Sequence, residues 1–190
     1  GGVPFFIHRV LCFARTSAYL YAGATDGGIA RSSDDGATWE KVNTNLPELR
    51  IYGLVADGAT VYAGTSGGGM YMLSEPGVDW TPQNEGMYSL TVRGLQAMGT
   101  KVFAATRGRG IMASEGANLD SWSERNHGFT SAESYCITRI GETLLAGGTS
   151  EHGLYRSNDA GLNWVKPASG LQDGMLYSFY VRGQDVFAGM

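Results

Sequence analysis

Four tryptophans, Trp39, Trp80, Trp122 and Trp164, stand 41, 42 and 42 residues apart. A second series keeps the same phase: Gly23, Gly64, Ala105, Gly147 and Gly189, at intervals of 41, 41, 42 and 42. A third is the apolar residue after each tryptophan, Leu46, Met87, Phe129 and Leu171. Three markers with one period define a repeat of about 42 residues, and a chain built from such units folds by stacking copies of one supersecondary element.

The grammar inside a unit is that of strands and tight turns. Segments such as Ile51–Ala56 and Val61–Gly64 are rich in β-branched, aromatic and small residues, and are bounded by Gly, Asp, Asn and Ser. The second strand recurs at Tyr19–Gly23, Val102–Ala105, Leu144–Gly147 and Val186–Gly189. A third strand begins at Gly28, Gly69, Gly110 or Gly153, and a fourth at the tryptophan. No twelve-residue stretch sustains helical periodicity. Four strands per 40–45 residues is the signature of a propeller blade. The expected fold is therefore an all-β propeller of four-stranded antiparallel blades, four complete and a fifth partial. The blade bounds fall near 7–48, 49–89, 90–131, 132–173 and 174–190, within a single propeller domain or a fragment of one. The incomplete fifth unit leaves three expectations: a larger ring of six to eight blades, pairing with a second copy, or a small ring completed from Gly1–Phe6.

Composition narrows the partners. The net charge is −4 and the 14 Lys and Arg are scattered, so nucleic acid is not expected. Glycine, at 29 residues, accompanies 11% aromatics, which fits turns between short strands and not disorder. No apolar run is long enough to span a membrane. The stretch from Val3 to Ala14 contains His8 and Arg9 and lacks a charged leader and a cleavage site, so it does not read as a signal peptide.

The turn before each tryptophan carries a family resemblance. Ser32-Ser33-Asp34-Asp35-Gly36-Ala37-Thr38-Trp39 resembles a complete Asp box, Ser-x-Asp-x-Gly-x-Thr-Trp. Ser157-Asn158-Asp159-Ala160-Gly161-Leu162-Asn163-Trp164 is a second copy, with Asn163 in place of Thr. Leu73 to Trp80 is weaker, with Glu75 at the Asp place and Gly77 retained. Ser114 to Trp122 is degenerate and one residue longer. The chain thus resembles Asp-box (BNR-type) β-propeller repeat proteins, and its short glycine-rich blades look most like bacterial secreted members. Sialidases and xyloglucanase-type glycoside hydrolases are more distant relatives. The resemblance implies a secreted, periplasmic or cell-surface location. Within the box the roles are structural: Asp accepts backbone N–H groups, Gly takes a conformation other residues resist, and Trp fills the seam between sheets.

Candidate site residues lie in the loops between second and third strands. Asp26, Arg107, Arg109, Glu151 and His152 would form a polar rim, with the arginines suited to a carboxylate or a sugar hydroxyl. Tyr88, with Tyr52, Tyr135 and Tyr177, would offer aromatic platforms to a sugar. The histidines have no zinc spacing, no acid–base carboxylate pair is marked, and the glycine-rich loops lack the following helix that a phosphate loop needs. No metal, no cofactor and no catalytic residue is expected. Cys12 and Cys136 share a repeat position where other units place Gly53, Gly94 and Ser178, so two free, buried thiols are expected. The functional expectation is a non-catalytic binding or scaffolding propeller for a glycan or protein ligand. The alternatives are a glycoside hydrolase propeller and a purely structural repeat.

Overall fold

The computed structural model describes residues 9–115, 121–149, 153–171 and 173–190. Seventeen strands and no helix are found among them. In chain order, β1 (Val10–Arg15), β2 (Leu20–Ala24), β3 (Ile29–Ser32) and β4 (Glu40–Lys41) form one antiparallel meander. β5 (Ile51–Asp57), β6 (Thr60–Thr65), β7 (Met70–Ser74) and β8 (Thr81–Pro82) form a second, and β9 (Val92–Met98), β10 (Lys101–Thr106), β11 (Ile111–Glu115) and β12 (Ser121–Glu124) a third. β13 (Cys136–Ile140), β14 (Thr143–Gly147) and β15 (Leu154–Ser157) make a three-stranded sheet, and β16 (Ser178–Arg182) with β17 (Asp185–Gly189) a hairpin. The expected second and third strands are present within a residue or two. The chain divides into two compact units, Gly1–Asn84 with Leu90–Val92, and Glu85–Ser89 with Arg93–Met190.

The second strand of each of the four larger sheets lies in the core. Val61, Ala63, Phe103, Ala104, Leu144 and Ala146 are fully buried. The marker glycines there are set by close approach. A Cβ on Gly23 would lie 2.7 Å from both the Cys12 sulfur and Ile51 Cγ2, and one on Gly64 would lie 2.6 Å from Val92 Cγ1. In the second unit a Cβ on Gly147 would lie 2.7 Å from both the Cys136 sulfur and Leu176 Cβ. Four first strands pair their small residue or cysteine with this glycine: Cys12 with Gly23, Gly53 with Gly64, Cys136 with Gly147 and Ser178 with Gly189. Both cysteines are free; Cys136 is buried, whereas Cys12 is half-buried and not fully buried as expected, and desolvation raises each thiol to about 12.

A recurring asparagine, absent from the sequence-based expectations, ties the fourth strand to the third. Asn43, Asn84 and Asn126 each stand four residues after a tryptophan. Their Oδ1 atoms accept from the N–H of Ile29, Met70 and Ile111 at 2.7, 2.8 and 2.8 Å. Their Nδ2 atoms donate to the carbonyls of Gly27, Gly68 and Arg109 at 3.0, 2.9 and 2.9 Å. The residue between those two backbone groups is Gly28, Gly69 or Gly110, with φ of 74, 82 and 61°. A side chain there would strike the asparagine.

The fourth unit departs from the expected complete blade: its fourth strand is reduced to a single bridge between Arg156 and Val165. The cause is local. Elsewhere the residue three after the tryptophan donates its N–H to the third strand, as Val42 to Ile29, Gln83 to Met70 and Arg125 to Ile111. The fourth unit has Pro167 there, which has no N–H, and Ala168 in place of the clamping asparagine. The Leu154 N–H turns to the Leu171 carbonyl at 2.8 Å instead.

The tryptophans join successive sheets within each unit. Trp80 is 1% exposed, its Nε1 donates to the Val42 carbonyl at 2.6 Å, and its backbone N–H donates to Thr44. Trp164 repeats this on the Arg125 and His127 carbonyls, each at 2.8 Å, with Phe129 edge-on at 5.6 Å. Trp122 is buried and donates its N–H to the Glu85 carbonyl at 2.9 Å. Trp39 does not follow the expected wedge: it is only half-buried, and its Nε1 folds back onto the Gly36 carbonyl of its own turn at 3.0 Å.

Candidate functional site

Two of the turns before the tryptophans are closed by side-chain hydrogen bonds. Asp34 takes hydrogen bonds from Ser32 Oγ at 2.7 Å, from the Thr38 N–H at 2.8 Å and from Thr38 Oγ1 at 2.6 Å, while the Gly36 N–H donates to Ser32 Oγ at 2.8 Å. Asp159 has the same set from Ser157 Oγ, the Asn163 N–H and Asn163 Nδ2, so Asn163 reproduces the threonine. These bonds, that of Thr38 or Asn163 first, hold both carboxyls down at about 2. Both carboxylates are committed to the turn, which leaves them no acid–base role. Gly161 keeps φ at 79°, and Ala160 before it sits at φ 55°.

Glu75 does not serve its turn as an Asp does. Its Oε1 accepts from Thr16 Oγ1 at 2.7 Å and from the Tyr21 hydroxyl at 2.8 Å, both on the neighbouring sheet. Burial, then the Glu75 bond and charge, push the Tyr21 hydroxyl well above the usual tyrosine range. Arg31 completes the clasp: its Nε meets Glu40 at 2.6 Å, its Nη1 donates to the Pro76 and Gly77 carbonyls, and its guanidinium lies 4.4 Å over the Tyr19 ring. Gly77 thus presents its carbonyl to this joint.

The rim candidates fall into different settings. In the second unit, Arg107 pairs with Glu133 at 3.3 Å. Arg109 pairs with Glu124 at 3.2 Å and lies 5.6 Å over the ring of Tyr88, which is highly exposed. Arg109 and Glu124 line a shallow depression of about 230 Å³ with Asn126, Phe129 and Thr130. Tyr135 and Tyr177 do share a repeat position and meet edge-to-face at 5.4 Å; Arg93, at the same position, lies 4.1 Å over the Tyr135 ring. Tyr88 belongs to a different position. Glu151 and His152 lie outside the described residues.

In the first unit, Asp26 opens onto a cleft of about 430 Å³, lined also by Arg9, Leu11, Thr25, Arg50 and Tyr52. Arg9 and Arg50 occupy one repeat position, immediately before β1 and β5, and Leu11 and Tyr52 occupy another. The loop following each second strand fixes the arginine backbones: Thr25 N–H donates to the Arg9 carbonyl at 3.0 Å, and Ser66 N–H to the Arg50 carbonyl at 3.1 Å. Arg50 Nε donates to the Thr25 carbonyl at 3.3 Å, and Thr25 Oγ1 to Asp26 at 3.1 Å. Neither arginine belongs to a marker series of the repeat, and their 41-residue spacing is the one signal of the pair in the sequence. Among the described residues no three His, Cys, Asp or Glu converge as a metal site, and no helix is long and apolar enough to cross a membrane.

No family model and no curated protein matches the chain. Solved structures do. The extracellular domain of the one-component system BT4673 from B. thetaiotaomicron superposes with a TM-score of 0.72 at 18% identity, over 94% of this chain and 24% of that one. YCF48 from Cyanidioschyzon merolae gives 0.71 at 15%, over 97% and 67%. The fold is that of a β-propeller. YCF48 has also been solved with a D1 peptide bound, and that structure gives 0.69 at 18% over 90% and 58%. An ancestral GH74 enzyme gives 0.67 at 18% over 87% and 25%. The propeller thus spans about a quarter of the BT4673 domain and of the GH74 enzyme, and two thirds of YCF48. Identities this low establish the fold alone.

Proposed function

We propose that this propeller is a non-catalytic recognition module that holds a polypeptide ligand on its loops between second and third strands. The observation that carries the reading is the cleft of the first unit. It is open to solvent, lined by Arg9, Arg50, Tyr52 and Leu11, and set on backbone fixed by hydrogen bonds. Such a surface binds; it offers no activated nucleophile. The peptide held by YCF48 supports a polypeptide as ligand, and the extracellular placement of the BT4673 domain supports a position outside the cytoplasm. Asp34 and Asp159 are locked into their turns, and this weighs against the glycoside hydrolase reading that the GH74 likeness raises.

The test is a three-way screen of the intact chain on a peptide array, a glycan array and a polysaccharide hydrolysis panel. Retention of peptides with no hydrolysis is the expected result. Turnover of any polysaccharide would replace this reading with a hydrolytic one, and glycan retention without peptide retention would replace the ligand class.

A further inference from the structure

Within this recognition reading, on which the inference rests, we infer that the cleft before β1 and β5 is a carboxylate-binding site for an acidic residue or the free C-terminus of an extended peptide. The argument starts from the repeat. Stacked sheets place equivalent residues beside one another in rows, so one repeat position makes one row of side chains. Here two rows line one cleft: a cationic row, Arg9 and Arg50, and an apolar row, Leu11 and Tyr52. The next two copies of the cationic position hold Thr91 and Glu133, so the paired cations belong to the first two blades alone and are not a demand of the fold.

The chemistry of the rows selects the ligand. Guanidinium groups are planar forks of donors that match a carboxylate, and two of them around one anion give charge-assisted hydrogen bonds from both sides. Arg50 is held from behind: its Nε donates to the Thr25 carbonyl, and its backbone N–H donates to Glu48 Oε1 at 2.9 Å. Orienting a guanidinium in advance lowers the ordering cost of binding. Leu11 and Tyr52 suit the methylene stem that carries a side-chain carboxylate. Asp26 lines the same cleft and adds one acceptor to it. As an acceptor it suits a ligand N–H, which a peptide backbone supplies beside its carboxylate, and it repels a ligand that is anionic throughout. The cleft therefore takes one carboxylate flanked by donors and disfavours a polyanion.

Fluorescence anisotropy on the intact chain tests this with three labelled hexapeptides: one with a central Glu and an amidated end, its Gln counterpart, and the Gln peptide with a free C-terminal carboxylate. The two carboxylate peptides should bind about tenfold or more tighter than the amidated Gln peptide, the order expected for hydrogen bonds to a charged partner. Comparing them separates a side-chain from a terminal source. Arg9→Gln and Arg50→Gln should each remove about tenfold, Arg50→Lys should restore part of it, and Asp26→Asn should tighten binding several-fold. Arg139→Gln, an exposed arginine on β13, should change nothing. All these side chains are at the surface, and matching urea midpoints would confirm that the variants fold. Equal affinity for the Glu and Gln peptides, or unchanged binding by the Arg9 and Arg50 variants, would overturn the site while leaving peptide recognition standing. If the unaltered chain binds none of the three peptides, and no peptide on the array, both readings fall together.

Discussion

Replacing Asn84 by alanine removes a clamp that joins the segment after β8 to the start of β7 in the second sheet. Its Oδ1 satisfies the Met70 N–H at 2.8 Å, and its Nδ2 satisfies the Gly68 carbonyl at 2.9 Å. Met70 is completely buried, so its N–H has no route to water once the acceptor is gone, a loss of about 1–3 kcal/mol. The Gly68 carbonyl is partly exposed and can take water, so that bond counts for about 0.5–1.5 kcal/mol. The sum is about 1.5–4.5 kcal/mol, which lowers a urea midpoint followed by tryptophan fluorescence by about 1 M. A second substitution sharpens the test. Gly69 has φ of 82°, and a Cβ there would lie 2.6 Å from Asn84 Cγ. Gly69→Ala alone meets both the left-handed strain, about 1–2 kcal/mol, and the collision. In the Asn84→Ala background only the strain remains. The double variant should therefore be more stable than the sum of the singles predicts, by at least about 1 kcal/mol. Additivity within about 0.5 kcal/mol would refute the claim that asparagine and glycine form one device.

Trp80→Ala should cost about 3–5 kcal/mol, because the indole is buried and bonded to the preceding sheet, whereas Trp39→Ala should cost markedly less, since that indole is half-exposed; urea midpoints of the two variants check the order. The carboxyls of Asp34 and Asp159 are lowered from 3.8 to about 2 in the folded state, so their contribution is complete above about pH 4 and is lost as pH falls through 2. Asp34→Asn should flatten the acid limb of a stability–pH curve measured from pH 5 to 2. Both thiols, raised to about 12 by burial, should resist an alkylating reagent at pH 8 until denaturant is added.

The amino-acid sequence by itself determined the 42-residue unit, the antiparallel strand order within it, the two well-formed box turns and the free cysteines opposite marker glycines. These follow from local rules: turn residues, alternation, and a small side chain wherever two strands crowd together. The Asn43, Asn84 and Asn126 clamp and the Arg9–Arg50 pair carried the same period, but a polar residue recurring at one position says nothing of its partner until the strands are placed. Tertiary structure alone decided what each copy meets. Glu75 sits at the acid place of its box, yet neighbouring Thr16 and Tyr21 capture its carboxylate. Trp39 has the best box of the four and is the indole left half-exposed, because burial depends on the sheet beside it and not on the motif before it. Pro167 cancels a strand through one missing N–H. The cleft exists because stacking brings two arginines 41 residues apart in sequence to one site, a proximity that only the packing of sheets creates.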